Sequence, residues 1–541
     1  MLSAEVIVVG TGPVGLWTAF ELKKAGLDVL AIDSIPARDA RDRRSKALGM
    51  SASSLEIFAA RGIGQKFVDA GSPVPRTHFG ACDTPILLGP EVLGTRYPHA
   101  LLLTQADTET KLLDECDAAG VRFQWGLKFS GLEQKDDRVL VTAQRVQDDG
   151  KISPVDSDVQ HLEAAWLVGC DGTHSSVRAA AGIAFEGTPS SMTAWLADVH
   201  MENPHPLPRI GRGPDGGCIC ILIPVPGTTF YRAVGLSTTT MHYPASQAPT
   251  FEEVREYVRQ SLGSDFGMHN PVWLSRFGNA CRVAASFRAG RVFLAGDAAH
   301  QFFPAGGQGM NLGIQDANNL AWKLAAAQRH WVRSGTVAER LLNTYTEERR
   351  SAAQAVIANV QAQIAMLMAR HPHETAIRDV FAEALRNPEL NRLWARRLSG
   401  FADPVAPYIK SYMASQVNRE GQPETINESE ELLLGARVTH LRFDEEENAL
   451  HAATATYRFA VVLLKTQERM FTEEALREIS KPWKDRVTVL SVVATPSDEK
   501  WNNVEAILVR PDMRVAWVGR KTTAVSDAEN ALAAVLKWWF G

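Results

Sequence analysis

The sequence predicts an α/β protein with a Rossmann-like dinucleotide-binding domain, an inserted and largely antiparallel β-sheet domain, and a small C-terminal α/β domain. Three observations favour this architecture. A glycine fingerprint follows the first strand, alternating strands fill residues 181–284, and a polar stretch precedes three further strands that alternate with helices. We therefore expect a nucleotide-binding domain from residues 1–180 and 285–400, a sheet domain at 181–284, a linker at 401–435 and a C-terminal domain at 436–541.

The composition is that of an ordinary globular chain. Its 541 residues are 45% hydrophobic and 22% charged, which suits two or three domains. A net charge of −5 gives no electrostatic reason to expect nucleic acid or an anionic membrane as a partner. The sequence shows neither a signal peptide nor a transmembrane stretch, so we expect a cytoplasmic protein.

The cysteines fit a reducing compartment, because none lies in a CxxC pair or a disulfide framework. They are Cys82, Cys116, Cys170, Cys218, Cys220 and Cys281. Cys218 and Cys220 would share one face of a strand, where a packed core is the expectation rather than a metal. We predict no metal site.

The first motif is Gly10-Thr11-Gly12-Pro13-Val14-Gly15, between the apolar run 5–9 and a predicted helix over 16–26. Gly10 allows a tight turn, Gly12 lets the backbone approach a pyrophosphate, and Gly15 lets the helix pack on the strand. A second strand, 28–32, ends at Asp33, where an acidic residue accepts hydrogen bonds from an adenosine ribose. The motif therefore predicts a bound dinucleotide.

Two other patterns have plainer interpretations. Residues 211–216 also spell GxGxxG, but an apolar run at 218–223 follows them, which indicates a turn that leads into a strand. The basic residues after the second strand indicate a solvated loop, with a contact to a nicotinamide phosphate as the alternative. They are Arg38, Arg41, Arg43 and Arg44.

Two motifs occur later in the chain, Gly169-Cys170-Asp171-Gly172 after a strand at 165–168 and Gly296-Asp297-Ala298-Ala299-His300 after a strand at 291–295. With the glycine fingerprint they resemble the class A flavoprotein aromatic hydroxylases of the para-hydroxybenzoate hydroxylase superfamily. The similarity is greatest to the subgroup that acts on aromatic polyketides in secondary metabolism and to phenol hydroxylases. Further matching stretches lie at Gln105 with Thr108-Glu109, at 169–178, 277–280 and 290–323, and in the tail at 509–512 and 515–517.

The resemblance implies a fold and a cofactor. The fold would be an FAD-binding Rossmann-like domain of the GR2 type, with an inserted β-sheet substrate domain and a thioredoxin-like C-terminal domain. FAD would be held non-covalently. The implied cofactor-binding residues are Gly10, Gly12, Pro13, Gly15, Asp33, Lys46, Gln105, Asp171, Gly172, Asp297, Gly307, Gly309, Met310 and Asn311.

Individual motif residues also have a physical interpretation. Asp297 can accept hydrogen bonds from ribityl hydroxyls, or it can cap the next turn. Asp171-Gly172 would support the flavin and a transient nicotinamide, or form a simple turn. His300 is expected to pack or hydrogen-bond rather than act as a base. The glycine-rich stretch from Pro304 to Asn311 would lie against the flavin ring, with Pro304, Ala305 and Gly306 at the reacting edge.

The implied reaction uses NADPH or NADH as a transient co-substrate to reduce FAD, and O2 to form a C4a-hydroperoxide that a phenolic or polycyclic aromatic ring attacks. Baeyer–Villiger or epoxidation chemistry remains an alternative, because substrate electronics decide it. A flavin-dependent halogenase is a weaker one, since the chain lacks a Trp-x-Trp-x-Ile-Pro stretch. A non-enzymatic binding module on the same fold would not need Asp171-Gly172 or the glycine-rich stretch.

The substrate pocket is expected between the inserted sheet and the flavin, with Trp195, Tyr231, His242 and Tyr243 as candidates. Two departures from the family affect the flavin region: Lys46 stands where many members carry Arg, and Ser53-Ser54 where they carry Arg-Thr. The C-terminal domain has no cysteine, so it is expected to serve packing, or a homodimer, rather than redox chemistry.

Overall fold

The computed structural model describes residues 2–40, 44, 46–147, 159–204, 207–214, 216–333, 335–402, 433–438, 441–443, 447–464, 471–492, 494–496, 501–521 and 525–541. The expected linker at 401–435 therefore lies almost wholly outside the described residues. Across the described part of the chain, no helix is both long and apolar enough to cross a bilayer.

Residues up to 180 form most of the first domain. Its strands are β1 (Leu2–Val9), β2 (Val29–Ile32), β3 (Gly49–Met50), β4 (Ser72–Val74), β5 (Arg76–Thr77), β6 (Ile86–Leu87), β7 (Ala100–Leu102), β8 (Arg122–Gln124), β9 (Leu127–Gln134), β10 (Val139–Arg145) and β11 (Val159–Gly169). Its helices are α1 (Pro13–Lys24), α2 (Ala52–Ala59), α3 (Gly64–Val68), α4 (Pro90–Leu93), α5 (Gln105–Ala119) and α6 (Ser176–Ala180). β1 pairs in parallel with β2 and β11, which is the expected nucleotide-binding core.

Side-chain caps set the helix starts in this domain. The Ser51 hydroxyl accepts a hydrogen bond from the Ser54 amide, so α2 begins at Ala52. The Thr104 hydroxyl accepts a hydrogen bond from the Asp107 amide, so α5 begins at Gln105.

The inserted region comprises β12 (Phe185–Thr188), β13 (Thr193–Met201), β14 (Arg209–Arg212), β15 (Cys218–Pro224), β16 (Phe230–Ser237), α7 (Phe251–Leu262) and β17 (Met268–Gly278). The strands β14-β15-β16-β13-β17 form one antiparallel sheet, as predicted. One face of this sheet packs on α7 in a core that includes Trp195, Cys218 and Cys220. The two cysteines are thus core residues, as expected.

The chain then returns to the first domain through β18 (Cys281–Ala284), β19 (Arg288–Ala289), β20 (Val292–Leu294) and β21 (His300–Gln301). Four helices follow: α8 (Gly309–Gln328), α9 (Thr336–Met368), α10 (Pro372–Ala384) and α11 (Pro388–Leu398). β20 adds to the first sheet beside β11, in parallel. α10 and α11 are separate helices, because Asn387 caps a new helix that starts at Pro388.

The C-terminal domain contains β22 (Leu441–Phe443), α12 (Glu447–Ala455), β23 (Phe459–Leu464), α13 (Glu473–Ser480), β24 (Val487–Val492), β25 (Ala494–Pro496), β26 (Val504–Val509), β27 (Val515–Arg520) and α14 (Val525–Phe540). Its main sheet has the order β24-β23-β26-β27, with β23 and β24 parallel and the other pairs antiparallel. This is the strand arrangement of a thioredoxin-like domain, as predicted.

The C-terminal domain shares a continuous apolar core with the first domain. Trp322 of α8 makes edge contacts with Phe459 at 5.5 Å and with Trp539 of α14 at 5.7 Å between ring centroids. The aromatic end of α14 therefore packs on its own domain and on the first domain.

Candidate active site

The glycine fingerprint has the geometry that a dinucleotide needs. Gly10 has φ +95°, and a Cβ there would lie 2.5 Å from the Cys170 carbonyl oxygen. A Cβ at Gly15 would lie 1.9 Å from the Gly10 carbonyl oxygen, so β1 and α1 can meet only through glycine. A Cβ at Gly12 would contact nothing within 4 Å. Gly12 caps α1 without a side-chain hydrogen bond and precedes Pro13, which leaves the helix N-terminus open to an anion.

Asp33 braces this turn. Its Oδ2 accepts hydrogen bonds from the Thr11 amide at 2.6 Å and the Thr11 hydroxyl at 2.7 Å, and its Oδ1 accepts one from the Ile35 amide at 3.0 Å. A carboxylate has about four acceptor sites, so a ribose hydroxyl has room for one bond. The contact between Asp33 and the ribose stays a prediction. The sequence did not predict that Asp33 also stabilises the glycine turn through its hydrogen bonds.

The Asp171 carboxylate makes its hydrogen bonds within its own turn. Its Oδ1 accepts a hydrogen bond from the Ser175 hydroxyl at 2.5 Å, and its Oδ2 accepts one from the Val177 amide at 3.1 Å, so it caps the start of α6. Burial raises the pKa of this carboxyl above its ordinary value, against these hydrogen bonds. Gly172 has φ +81° and no atom within 4 Å of its Cβ position. The Gly172 backbone is therefore open to a ligand here.

Asp297 follows β20 and has an exposed side chain. Its nearest side-chain partner is the Thr173 hydroxyl, 3.5 Å from Oδ2, which is at the limit of a hydrogen bond. The carboxylate can therefore accept hydrogen bonds from a ligand, which is what the predicted ribityl contact requires.

His300 belongs to a buried charge cluster. Its Nε2 lies 2.7 Å from Asp316 Oδ2, and the same carboxylate accepts hydrogen bonds from Arg349 Nε at 2.7 Å and the Gly296 amide at 3.1 Å. Burial alone would raise the pKa of the Asp316 carboxyl, but Arg349 and His300 hold it below its ordinary value. The structure places His300 in a hydrogen-bonding role, as expected.

The glycine-rich loop is open on one side. Gly306 and Gly307 have φ +75° and +64°, and a Cβ at Gly307 would contact nothing within 4 Å. Gly309 has only the Phe302 ring near its Cβ position, at 3.9 Å. α8 starts after Gln308 without a side-chain cap. The loop can therefore lie against a planar ring, and the partial positive charge of the helix N-terminus suits a reduced flavin.

Asn311 holds this loop in place. Its Oδ1 accepts hydrogen bonds from the Ser51 amide and the Ser54 hydroxyl, both at 2.8 Å. Its Nδ2 donates to the Gly307 carbonyl at 2.9 Å and to the Gly49 carbonyl at 3.1 Å. Ser54, one of the two departures from the family pattern, thus supports the loop. Met310 is half-buried next to Asn311.

Gln105 and Lys46 lie at the entrance to β3. Gln105 Oε1 accepts a hydrogen bond from the Ala47 amide at 3.1 Å. The Lys46 side chain is exposed, and its backbone carbonyl accepts a hydrogen bond from Arg232 Nη1 at 3.2 Å. Arg232 forms a buried, two-pronged ion pair with Asp198 across β13 and β16. The hydrogen bond from Arg232 to Lys46 joins the inserted sheet to the first domain, and it was not predicted. Asp198 and Arg232 are nevertheless opposite charges on strands that the sequence identifies.

Two of the four substrate candidates, Trp195 and Tyr231, face away from the glycine-rich loop. Trp195 is fully buried and Tyr231 half-buried on the α7 side of the sheet. His242 and Tyr243 are exposed in the turn after β16. The sheet face towards the loop is apolar instead, and it packs with two loop residues and α9. This cluster, called the inner cluster below, contains Met192, Ala194, Ile219, Leu236, Cys281, Phe303, Ala305, Val360 and Leu367.

An open dinucleotide cradle at one end of the first sheet, and an open loop for a planar ring under the second, define the class: a protein that binds a dinucleotide cofactor with a planar ring. The open positions at Gly12, Gly172 and Gly307 fit FAD. Among the described residues, no group of three or more metal-ligating side chains occurs.

Comparison with known families agrees. Residues 3–360 match the family described as FAD binding domain, and residues 431–541 match the aromatic-ring hydroxylase C-terminal family. The chain belongs to this family of FAD-dependent aromatic-ring hydroxylases.

Three similar proteins span the whole chain. A rifampicin monooxygenase from Streptomyces venezuelae is 32% identical over 99% of this chain and 98% of its own length. The solved structure of the anhydrotetracycline hydroxylase OxyS from Streptomyces rimosus has a TM-score of 0.79 and 29% identity, over 100% of this chain and 99% of that one. A protein named dialkyldecalin synthase, from Streptomyces rugosporus, is 33% identical over 100% of this chain and 99% of its own length.

Proposed function

We propose that this enzyme hydroxylates a polycyclic phenolic, polyketide-like compound, with consumption of NADPH or NADH and O2. The observation that carries the proposal is the inner cluster, a buried apolar core directly beside the open glycine-rich loop. Apolar surroundings at this loop suit a flat aromatic ring system better than a small polar substrate. The similarity to enzymes named for anhydrotetracycline and rifampicin supports the same substrate class.

When bound, FAD supplies the transfer of electrons from NAD(P)H to O2 and the activation of that oxygen. The chain supplies position and environment. Gly12 and the N-terminus of α1 would bind the pyrophosphate, and Asp297 would accept hydrogen bonds from the ribityl chain. The backbone of Pro304, Ala305 and Gly306 would border the reacting edge of the ring.

The inner cluster would do two further things. Phe303 and Ala305 extend from the loop into the same apolar core as Ile219 and Leu236 of the sheet, so a ring bound there is held beside the flavin. The cluster also excludes water from the reacting position, which limits wasteful loss of activated oxygen. The chain carries one open dinucleotide fingerprint, so NAD(P)H would bind only transiently.

The purified protein should be yellow, and denaturation should release free FAD into solution. Flavin that remains with the precipitated chain would contradict the non-covalent assignment. Addition of a phenol such as 1-naphthol should accelerate NADPH oxidation, and isotopic oxygen from O2 should appear in the product. The position of the label, on a ring carbon or within an ester, separates hydroxylation from Baeyer–Villiger insertion.

The relative named dialkyldecalin synthase gives the experiment a second purpose. If the flavin is present but no aromatic compound increases NADPH oxidation or acquires labelled oxygen, the monooxygenase proposal fails and a non-oxidative role on the same fold is favoured.

We also infer a cytoplasmic enzyme whose partner is a small aromatic substrate, without nucleic acid or membrane. A homodimer is the proposed assembly. Light scattering of the purified protein measures its mass directly, and a mass of one chain would exclude the dimer.

A further inference from the structure

The inner face of α9 carries two amide side chains among apolar neighbours. Asn359 and Gln363 are one helical turn apart, and Val360 and Leu367 of the inner cluster lie on the same side. Gln363 is fully buried. A Cβ at Gly306 would lie 3.3 Å from Gln363 Nε2, so this amide lies directly beside the glycine-rich loop.

The orientation of Gln363 follows from a backbone group. Its Oε1 accepts a hydrogen bond from the Gly80 amide at 3.3 Å, and an N–H can only donate. The opposite end of the side chain must therefore be the NH2 group. This Nε2 is buried and has no hydrogen-bond partner. A donor left in that condition is costly, so an acceptor on a bound molecule would stabilise it.

The orientation of the Asn359 amide follows from two successive hydrogen bonds, called the relay below. The Ala305 carbonyl can only accept, so Gln308 must direct its Nε2 towards it, at 3.4 Å. Gln308 Oε1 then accepts from Asn359 Nδ2 at 3.3 Å. What remains is Asn359 Oδ1, which is buried and has no hydrogen-bond partner. The relay therefore presents one unsatisfied acceptor, one helical turn from the unsatisfied donor of Gln363.

We propose that Gln363 and Asn359 recognise the oxygen pattern of the aromatic substrate. Gln363 Nε2 donates to a ring carbonyl or phenolate oxygen, and Asn359 Oδ1 accepts from a ring hydroxyl. Both are specificity-determining residues beside the apolar inner cluster, and they favour substrates that carry a carbonyl and a hydroxyl on a fused ring system. This inference rests on the proposed function.

The test measures binding of three probes to the FAD-loaded enzyme, through the change in flavin absorbance. Tetralin has no oxygen, 1-tetralone has one acceptor, and 6-hydroxy-1-tetralone has an acceptor and a donor. Gln363→Met removes the donor at similar volume, Gln363→Glu keeps the acceptor for Gly80 but replaces the donor, and Asn359→Leu removes the acceptor. Gln361→Met is the control, because Gln361 is exposed on the same helix.

In both Gln363 variants, Kd for the two tetralones should rise roughly 3–10-fold, the value of one neutral hydrogen bond, while Kd for tetralin is unchanged. Asn359→Leu should weaken only 6-hydroxy-1-tetralone. Gln361→Met should change nothing. Visible absorbance checks that each variant retains FAD.

Two results would overturn the inference while leaving the proposed function intact. Equal loss for all three probes would mean that the amides only support the loop. No loss for any probe would mean that ordered water satisfies them. If neither tetralone bound the wild-type enzyme and 1-naphthol did not increase NADPH oxidation, the proposed function and this inference would both fail.

Discussion

Arg510 of the C-terminal domain and Glu348 of α9 form a buried, two-pronged ion pair, with Nη1 to Oε1 at 3.1 Å and Nη2 to Oε2 at 2.9 Å. Lys323 of α8 donates to the same carboxylate at 2.7 Å, and Arg510 Nε also donates to Asp512 at 2.9 Å. Burial would raise the pKa of Glu348, but Arg510 and Lys323 hold it well below its ordinary value. The buried charged side chains of the first domain and the C-terminal domain therefore neutralise one another across the boundary between the two domains.

Removal of Arg510 should destabilise the folded protein strongly. Arg510→Met leaves Glu348 and Asp512 buried with less positive charge, and breaking a buried pair costs about 3–5 kcal/mol. Urea unfolding followed by tryptophan fluorescence measures the loss. Arg477→Met is the control, because the Arg477–Glu473 pair on α13 is exposed, and it should leave the urea midpoint unchanged. Similar midpoints for both variants would show that the buried pair does not stabilise the interface.

Truncation after Gly435 should lower the melting temperature. It removes Arg510 and Trp539, and it exposes Trp322 and Lys323, which the C-terminal domain covers. Any soluble product should keep FAD and some NADPH oxidation, because the described cofactor residues all precede the cut. A product of equal stability that cannot reduce its flavin would instead assign a catalytic role to the domain.

Gly12→Ala should separate folding from cofactor binding. A methyl group at Gly12 meets open space, and the backbone there, with φ −65°, suits alanine. The variant should fold but retain less FAD, because the methyl occupies the path of the pyrophosphate. Gly131→Ala in β9, also open, is the control and should retain FAD. Gly15→Ala should fail to give folded protein. Full FAD content in Gly12→Ala would exclude the predicted cofactor position.

Asp297→Ala should weaken FAD binding without unfolding the protein. Its exposed carboxylate has one distant side-chain partner, and loss of a charge-assisted hydrogen bond costs about 1.5–3 kcal/mol, or roughly 10–150-fold in Kd. Fluorescence titration of apoprotein with FAD gives the constant. Glu383→Ala, an exposed carboxylate on α10, is the control. An unchanged Kd in Asp297→Ala would remove its predicted ribityl role.

His78 should make stability fall in mild acid. Burial lowers the pKa of His78 from 6.5 to about 4, and its Nδ1 accepts a hydrogen bond from the Ala81 amide at 3.2 Å. Between about pH 6.5 and 4 the unfolded chain binds this proton and the folded chain does not, so stability decreases as pH falls through that window. His78→Gln should flatten the pH dependence of the urea midpoint, whereas His373→Gln, at an exposed site, should not. If the urea midpoints of the wild type, His78→Gln and His373→Gln all change with pH in the same way, the prediction is wrong.

Much of the fold follows from local sequence. Three of the four strands in the main C-terminal sheet, and the turn at Gly10, were predicted because apolar runs and glycine constraints act over a few residues. The position of Trp195 could not be predicted in the same way. The alternating pattern predicted a strand with two faces, but only the packing of α7 decides which of these faces lies away from the glycine-rich loop. Arg510 and Glu348 are 162 positions apart, and no local pattern joins them. The same holds for Arg232 and the carbonyl of Lys46.

α8 starts in the glycine-rich loop and continues to Trp322 and Lys323 at the C-terminal domain, about 30 Å for its 20 residues. For anyone who recombines such enzymes, this helix determines where a chain can be cut. A chimaera joined at residue 435 would pair Trp322, Lys323 and Glu348 with a foreign surface, and the junction itself lies beside the buried Leu433 and Leu434. The inserted sheet, which contributes Ala194, Ile219 and Leu236 to the inner cluster, can be exchanged without disturbing those contacts. Exchange of residues 193–278 should therefore alter the apolar part of substrate recognition, whereas Asn359 and Gln363 stay with α9, and the two ends of the chain are best inherited together.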